Sequence, residues 1–213
     1  MLYSSEMLCK KHIFPYLKNF PYPWLVSFAG FPATGKSTLT QFLKKLVGIK
    51  DTVIINESAY MLFSRNERLK KHLSGCALSA LDLEKYSRDI DQIKNGKDTT
   101  LVQAYSYQSG KLFEIKQSIN IKNFRCLILD GPRSCHPAVV NGFQVVLFLF
   151  PREMDKWHEF SIARDKKERR YKHDQAVINT SLCENDMKHI YLRSKSVITH
   201  EVFSSIVMKN QKY

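Results

Sequence analysis

The sequence lacks the features of a membrane or secreted protein. Its longest uninterrupted apolar run, Val145 to Phe150, is too short for a transmembrane helix, which needs roughly 20 apolar residues. The stretch before Phe20 is broken by Lys10, Lys11 and His12, so it predicts an added N-terminal helix instead of a signal peptide. The five cysteines form no C-x-x-C pair, and free thiols are therefore expected. We expect a cytoplasmic protein without a membrane span.

Acidic residues are scarce. The chain has 20 Asp and Glu against 33 Lys and Arg, which leaves a formal charge of +13 and a sequence pI near 9.5. Such a surface attracts polyanions, among them nucleotides, phosphorylated substrates and nucleic acids. The basic residues lie in separate clusters, with no arrangement of aromatics that predicts a base-stacking platform. His72 and His173 have no companions at metal-ligand spacing, so no zinc site is predicted.

A glycine-containing phosphate-binding pattern, G-x-x-x-x-G-K-[ST], is the most specific motif present. It comprises Gly30, Phe31, Pro32, Ala33, Thr34, Gly35, Lys36 and Ser37, and Thr38 follows it. An apolar, strand-like stretch precedes the motif and a helix-like stretch follows it. Lys36 is expected to reach the β- and γ-phosphates, and the Ser37 hydroxyl is expected in the Mg²⁺ shell. The motif predicts that ATP, or another nucleoside triphosphate, binds here with Mg²⁺.

The apolar runs of the chain predict a parallel sheet. Strands are expected at about 24–29, 52–56, 125–130, 144–150 and 196–200, with helical patterns between them. Continuous apolar runs suit strands that are covered on both faces. We predict an α/β, three-layer P-loop NTPase fold with a parallel five-stranded sheet in the order 2-3-1-4-5 and a small helical lid. The stretch 82–94 predicts an amphipathic helix.

Length and composition fit one domain. A chain of 213 residues, 44% of them hydrophobic, can bury one substantial core. We predict a single P-loop domain over 1–213. It would carry an N-terminal extension at 1–20, a lid region at about 152–178 and a basic tail at about 201–213.

Two acidic residues follow predicted strands, at the sheet edge where open α/β sheets bind ligands. Asp130 ends an apolar strand, and this pattern predicts that its carboxylate holds Mg²⁺. A simple Asp-Gly turn would give the same pattern. Glu57 follows the second strand and is a candidate base for a substrate hydroxyl. Alternatively, Glu57 caps the helix that begins near Ser58.

A charged segment after the fourth strand predicts a lid. The stretch from Arg164 to His173 has a helical pattern, and folding over the nucleotide would bring a guanidinium to the transferring phosphoryl group. Arg164 and Arg169 are the candidates for that role. A run of alternating charges is also what an exposed helix face shows, and that alternative stays open.

In their order and spacing these features resemble the uridine kinase and phosphoribulokinase-like branch of the P-loop kinases. The segment 56–60 is similar to the family's catalytic segment, with Glu57 in place of its Asp. The segment 104–111 is similar to a Y-D-containing acceptor segment, with Ser106 in place of Asp. The family's lid pattern R-D-x-x-x-R is present at 164–169.

The resemblance implies an ATP-dependent kinase. Catalytic roles would fall to Lys36, Glu57, Arg164 and Arg169, and Asp130 with Ser37 would hold the metal. The substrate-binding residues it implies are Tyr60, Arg68, Tyr105 and Tyr107. The partner it implies is a small-molecule acceptor, a nucleoside or a related sugar alcohol. Two alternatives remain, a polynucleotide 5′-hydroxyl kinase and a nucleotide-binding regulator with a degenerate acceptor site.

Overall fold

A computed structural model describes residues 5–121 and 124–204. Its strands are β1 (Trp24–Gly30), β2 (Thr52–Asn56), β3 (Thr99–Tyr105), β4 (Leu112–Ile119), β5 (Cys126–Asp130), β6 (Val145–Pro151) and β7 (His200–Ser204). Its α-helices are α1 (Ser5–Leu8), α2 (Phe14–Leu17), α3 (Lys36–Val47), α4 (Arg65–Lys70), α5 (Leu83–Lys94), α6 (Pro137–Val140), α7 (Met154–Lys167) and α8 (His173–Ser194). A π-helical turn (Cys9–Ile13) joins α1 to α2, and 3-10 turns occupy Glu57–Tyr60 and Leu78–Ala80.

A five-stranded parallel sheet forms the centre of the molecule. Its strand order is β2-β5-β1-β6-β7, which is 2-3-1-4-5 when only the strands of this sheet are counted. Alternate residues of β1 point to opposite faces: Val26 and Phe28 pack towards α3, while Leu25 and Ala29 pack into the core on the other face. Helices therefore cover both faces, and the predicted α/β P-loop fold is confirmed.

The register of the sheet brings three strand ends together. Phe28 of β1 and Asn56 of β2 both pair with Asp130 of β5. The phosphate-binding loop that follows β1, Glu57 after β2 and Asp130 at the end of β5 consequently share one edge of the sheet. This is the edge on which open α/β sheets bind ligands.

Three expectations about secondary structure need correction. The fifth strand runs from His200 to Ser204 and not over 196–200. The stretch between the second and third strands of the sheet contains an antiparallel hairpin, β3–β4, which the sequence reading missed. The charged stretch 164–173 is not one helix, because α7 ends at Lys167 and Arg170 takes a left-handed conformation with φ 57°.

The predicted helix over 82–94 is present as α5, with Asp82 accepting a hydrogen bond from Lys85 N at its start. The extension at 1–20 is helical from Ser5 to Leu17, and Cys9, Ile13 and Leu17 bury against α3 and β1. Residues 205–213 of the predicted basic tail lie outside the described residues. All five cysteines carry free thiols and are buried. No helix in the described ranges is long and apolar enough to cross a bilayer.

Candidate nucleotide and acceptor site

The loop between β1 and α3 has the geometry of a phosphate cradle. Gly30 and Gly35 have φ angles of 121° and 93°, which side-chain-bearing residues rarely adopt. A Cβ atom on Gly30 would also stand 2.2 Å from the carbonyl oxygen of Leu149. Lys36 Nζ donates hydrogen bonds to the carbonyl oxygens of Gly30 (3.0 Å) and Phe31 (2.7 Å). Burial lowers the pKa of Lys36, so an anion in the loop would stabilise its charged form.

A tryptophan of α7 packs against this loop and donates a hydrogen bond to it. Trp157 is fully buried, and its indole N–H donates to the carbonyl oxygen of Pro32 at 2.7 Å. The Phe31 ring packs edge-on against the same indole, with the ring centres 5.3 Å apart. Thr34 closes the turn by donating from Oγ1 to Phe31 O at 2.7 Å. The side chains of Phe31 and Thr34 therefore hold the loop in place through contacts with α7 and within the loop itself.

Asp130 and Ser37 form the candidate metal site. Asp130 is 5% exposed, and burial raises the pKa of its carboxyl, an effect that the Lys36 charge and a hydrogen bond from Ser37 oppose. A carboxylate and a hydroxyl beside a phosphate-binding loop are the hard oxygen ligands that Mg²⁺ prefers. The donor set therefore fits the predicted ion.

Glu57 lies at the start of the 3-10 turn and is held in a buried ion pair with Arg133. Its Oε1 accepts from Arg133 Nε (3.0 Å) and Nη2 (2.8 Å), and its Oε2 accepts from the backbone N–H of Arg133 at 2.7 Å. The Ser134 hydroxyl approaches Oε2 at 3.4 Å, which is the longest of these contacts. A Cβ on Gly131 would stand 2.0 Å from Glu57 Cγ, so only glycine lets the segment after β5 approach the Glu57 side chain this closely.

Arg164 and Arg169, the two arginines of the predicted lid, share one buried acid. Asp165 Oδ1 lies 3.0 Å from Arg164 Nη2 and 3.1 Å from Arg169 Nη1. Its other oxygen accepts from Asn179 of α8 at 2.9 Å. Burial, followed by the neighbouring charge of Arg169, lowers the pKa of Arg164. Two guanidiniums on one carboxylate leave a net positive charge facing the cleft.

Arginines and tyrosines build the far end of the cleft. Arg68 donates to Tyr105 OH at 2.8 Å and lies over the same ring at 5.0 Å. Arg65 lies over the Tyr171 ring at 4.5 Å and donates to the carbonyl oxygens of Arg169 and Tyr107. Arg65 thus links the segment after α7, which belongs to the predicted lid, to the turn of the β3–β4 hairpin through hydrogen bonds.

These groups surround one cleft of about 400 Å³. The predicted site residues that line it are Pro32, Ala33, Gly35, Lys36, Ser37, Thr38, Glu57, Arg68, Tyr105, Tyr107, Asp130, Arg164 and Arg169. Tyr60, predicted to bind substrate, does not line the cleft. It is 2% exposed and stacks on Tyr86 at 4.6 Å, because the 3-10 turn directs it into the core.

Several residues of the cleft were missed by the sequence analysis. Arg133 follows the Asp-Gly-Pro turn, and no spacing rule links it to Glu57. Tyr171 stands beside the lid pattern without being part of it. The thiols of Cys76 and Cys183, from a loop and from α8, meet in the cleft. A hydrogen bond from Cys76 lowers the pKa of Cys183.

No family model matches this chain, and no curated protein matches it at a significant level. Several solved structures, however, are similar to this chain in fold. A candidate fructose transport system kinase from Silicibacter sp. TM1040 is 16% identical over 94% of this chain and 99% of its own, with a TM-score of 0.72. A possible uridine kinase from Bacillus stearothermophilus is 13% identical over 94% of this chain and 97% of its own, with a TM-score of 0.65.

Phosphoribulokinase from Rhodobacter spheroides is 14% identical over 81% of this chain and 68% of its own, with a TM-score of 0.57. At such identities the likeness establishes the fold. The chain has the fold of the uridine kinase and phosphoribulokinase-like P-loop kinases, to which the sequence motifs also point.

Proposed function

We propose that this protein is an ATP-dependent kinase that transfers the γ-phosphoryl group to a hydroxyl of a small molecule. The observation that carries the proposal is the shared cleft. A phosphate loop with Lys36, a metal-type acid at Asp130 and a second carboxylate at Glu57 line the same cavity as two lid arginines. Sugars and nucleosides are the acceptors that the names of the similar structures indicate.

The donor half of the cleft would bind and orient the triphosphate. Lys36 would exchange its bonds to Gly30 O and Phe31 O for phosphate oxygens, a charge-assisted replacement that offsets the cost of its burial. Ser37 and Asp130 would hold Mg²⁺, which neutralises phosphate charge when it is bound.

The lid arginines would face the equatorial oxygens of the transferring phosphoryl group. Because Asp165 holds both Arg164 and Arg169, their positions are fixed before the substrate arrives. Fixed donors stabilise developing charge without reorganisation during the reaction.

Glu57 would orient the acceptor hydroxyl and receive its proton. Arg133 keeps the carboxylate in one orientation through three hydrogen bonds. The Ser134 contact to Oε2 at 3.4 Å is the weakest, and an acceptor hydroxyl would take its place. The incoming hydroxyl would then lie between the Glu57 carboxylate and the phosphoryl group.

Phosphoryl transfer from radiolabelled ATP to a panel of sugars, sugar alcohols and nucleosides tests the proposal. Lys36→Ala is expected to abolish transfer, because the phosphates lose their buried counter-charge. Lys45→Ala, an exposed lysine on the same helix, is the matched control and should retain full activity. Equal activity in both variants would refute the assignment of this cleft as the kinase site.

Glu57→Gln tests the base, and its fold is checked by circular dichroism because the change also leaves the buried Arg133 without its counter-charge. We expect turnover to fall by about 100-fold or more, which is the usual contribution of a positioned base. Binding of a non-hydrolysable ATP analogue should be unchanged, since Glu57 lies in the acceptor half. A variant with wild-type turnover would remove Glu57 from the mechanism while leaving the kinase proposal intact.

A further inference from the structure

Two buried arginines in the acceptor half of the cleft have no acidic partner. Arg65 and Arg68 both belong to α4, are 9% and 3% exposed, and line the cleft. No carboxylate of the described residues lies within ion-pair distance of either one.

Each of the other arginines of the cleft has a carboxylate at ion-pair distance. Arg133 pairs with Glu57, while Arg164 and Arg169 share Asp165. An uncompensated charge is costly in such surroundings, and buried charges in proteins are ordinarily paired. Among the described residues, Arg65 and Arg68 of α4 therefore differ from the other arginines of the cleft in having no carboxylate at ion-pair distance.

Neutral groups satisfy part of the hydrogen-bonding capacity of these arginines but none of their charge. Arg68 Nη1 donates to Phe63 O at 2.8 Å, and Nη2 donates to the Tyr105 hydroxyl. Arg65 donates from both Nη atoms to backbone carbonyls, and its buried Nε has no hydrogen-bond partner in the described ranges. These contacts hold the guanidiniums in place, so that two fixed cationic groups remain for a ligand.

We propose that the acceptor carries an anionic group, a carboxylate or a phosphate monoester, which binds at Arg65 and Arg68. This inference rests on the proposed kinase function, because it assigns the acceptor of that reaction. Guanidiniums match the oxygen geometry of both anions, and Tyr105 and Tyr171 supply the walls beside them. Binding of the anion at α4 would leave the acceptor hydroxyl free to extend towards Glu57 in the same cleft.

The first experiment measures anion binding without turnover. The protein is saturated with Mg²⁺ and a non-hydrolysable ATP analogue to fill the phosphate loop, and inorganic phosphate is then titrated by calorimetry. We expect saturable binding that Arg68→Met weakens at least tenfold. Lys70→Met removes the same charge from an exposed position of the same helix and should bind as the wild type does. Absence of saturable binding, or equal loss in both variants, would overturn the proposal.

The second experiment compares acceptors of different charge. Hydroxy acids, sugar phosphates and the corresponding neutral sugars and nucleosides are assayed for phosphoryl transfer. The anionic acceptors should have kcat/KM at least tenfold above their neutral counterparts. The better of the two anionic series identifies the group as carboxylate or phosphate. In Arg68→Met the loss should appear mainly in KM of the anionic acceptor, since Arg68 does not touch the reacting atoms.

The two proposals fail in different ways. If inorganic phosphate binds at Arg68 but no acceptor of any charge is phosphorylated, the anion site stands and the kinase function is wrong. If neutral acceptors are phosphorylated as well as anionic ones and phosphate does not bind, the kinase function stands and the anionic acceptor is wrong.

Discussion

At the scale of single residues, the cleft is defined by which charges have partners and which do not. Glu57 and Arg133 neutralise each other at 1% exposure, and the two lid arginines divide one buried carboxylate. Arg65 and Arg68 have no acidic partner among the described residues, and we propose that a ligand supplies their counter-charge. The distribution of charge pairs therefore separates the residues that hold the site together from those that we propose bind substrate.

Arg133→Met is expected to destabilise the protein by about 3–5 kcal/mol, because it leaves the Glu57 carboxylate buried without a counter-charge. Urea unfolding followed by circular dichroism measures the change. Arg125→Met is the matched control, since that arginine is exposed and its ion pair with Asp51 should contribute less than about 1 kcal/mol. Adding Glu57→Gln to Arg133→Met should recover part of the loss; a further decrease would contradict a charge-pair origin.

Cys183 is expected to react with iodoacetamide before the other cysteines. The hydrogen bond from Cys76 lowers its pKa, so a larger fraction of Cys183 than of the other thiols should be thiolate near neutral pH, and its alkylation should be faster. Burial raises the pKa of Cys9 to about 12, which makes that thiol the internal control. Mass-spectrometric peptide mapping from pH 6 to pH 9 gives the order of labelling. Equal rates at Cys9 and Cys183 would refute the assignment, and the nucleotide analogue should slow labelling of the cleft thiol.

At the scale of elements, the phosphate loop depends on a helix far along the chain. α7 supplies Trp157, which binds Pro32 O and packs on Phe31. The same helix ends in the segment that carries the lid arginines. Movement of α7 would therefore change the donor cradle and the lid together.

Trp157→Phe is expected to weaken nucleotide binding about fivefold, since one hydrogen bond to the loop contributes about 1 kcal/mol. Trp24→Phe provides a control, because that indole also donates to a backbone carbonyl, Phe20 O at 3.1 Å, but lies outside the cleft. Titration with a fluorescent ATP analogue compares the two variants. An equal loss of affinity in both would mean that general destabilisation, and not the loop contact, is responsible.

At the scale of the whole molecule, the net charge of +13 and the cleft have different effects on binding. The net charge favours encounter with any polyanion, whereas the reaction that we propose depends on groups inside a cavity of about 400 Å³. Binding of nucleic acid to the exterior would therefore not by itself indicate a nucleic-acid substrate.

We expect single-stranded oligonucleotides to bind at low salt, with an affinity that falls steeply as salt is raised, because phosphate contacts release counterions. They should not become phosphorylated at the 5′-hydroxyl. Fluorescence anisotropy at several salt concentrations, together with a radiolabel transfer assay, measures both properties. Transfer to the oligonucleotide with a higher kcat/KM than to any small acceptor would favour the polynucleotide kinase alternative.

Local patterns were sufficient to bring three candidate groups to one edge of the sheet. The phosphate loop, Asp130 and Glu57 each lie at or directly after the end of a strand, and parallel strands bring such positions together. The acceptor half was only partly predictable. Tyr60 and Tyr107 both carry phenol side chains near predicted acceptor segments, yet Tyr60 is in the core and Tyr107 lines the cleft. The β3–β4 hairpin that positions Tyr107 was itself missed.

The sequence by itself determined the P-loop fold, the nucleotide-binding motif and the excess of positive charge, because these depend on local spacing and composition. Only the tertiary structure decided which charges are compensated. Arg133 pairs with Glu57 across 76 positions of chain, while Arg65 and Arg68 have no ion-pair partner among the described residues. The physical reason is that a charge pair requires proximity in space, and proximity between distant segments arises only when the sheet, the hairpin and the lid helices pack together.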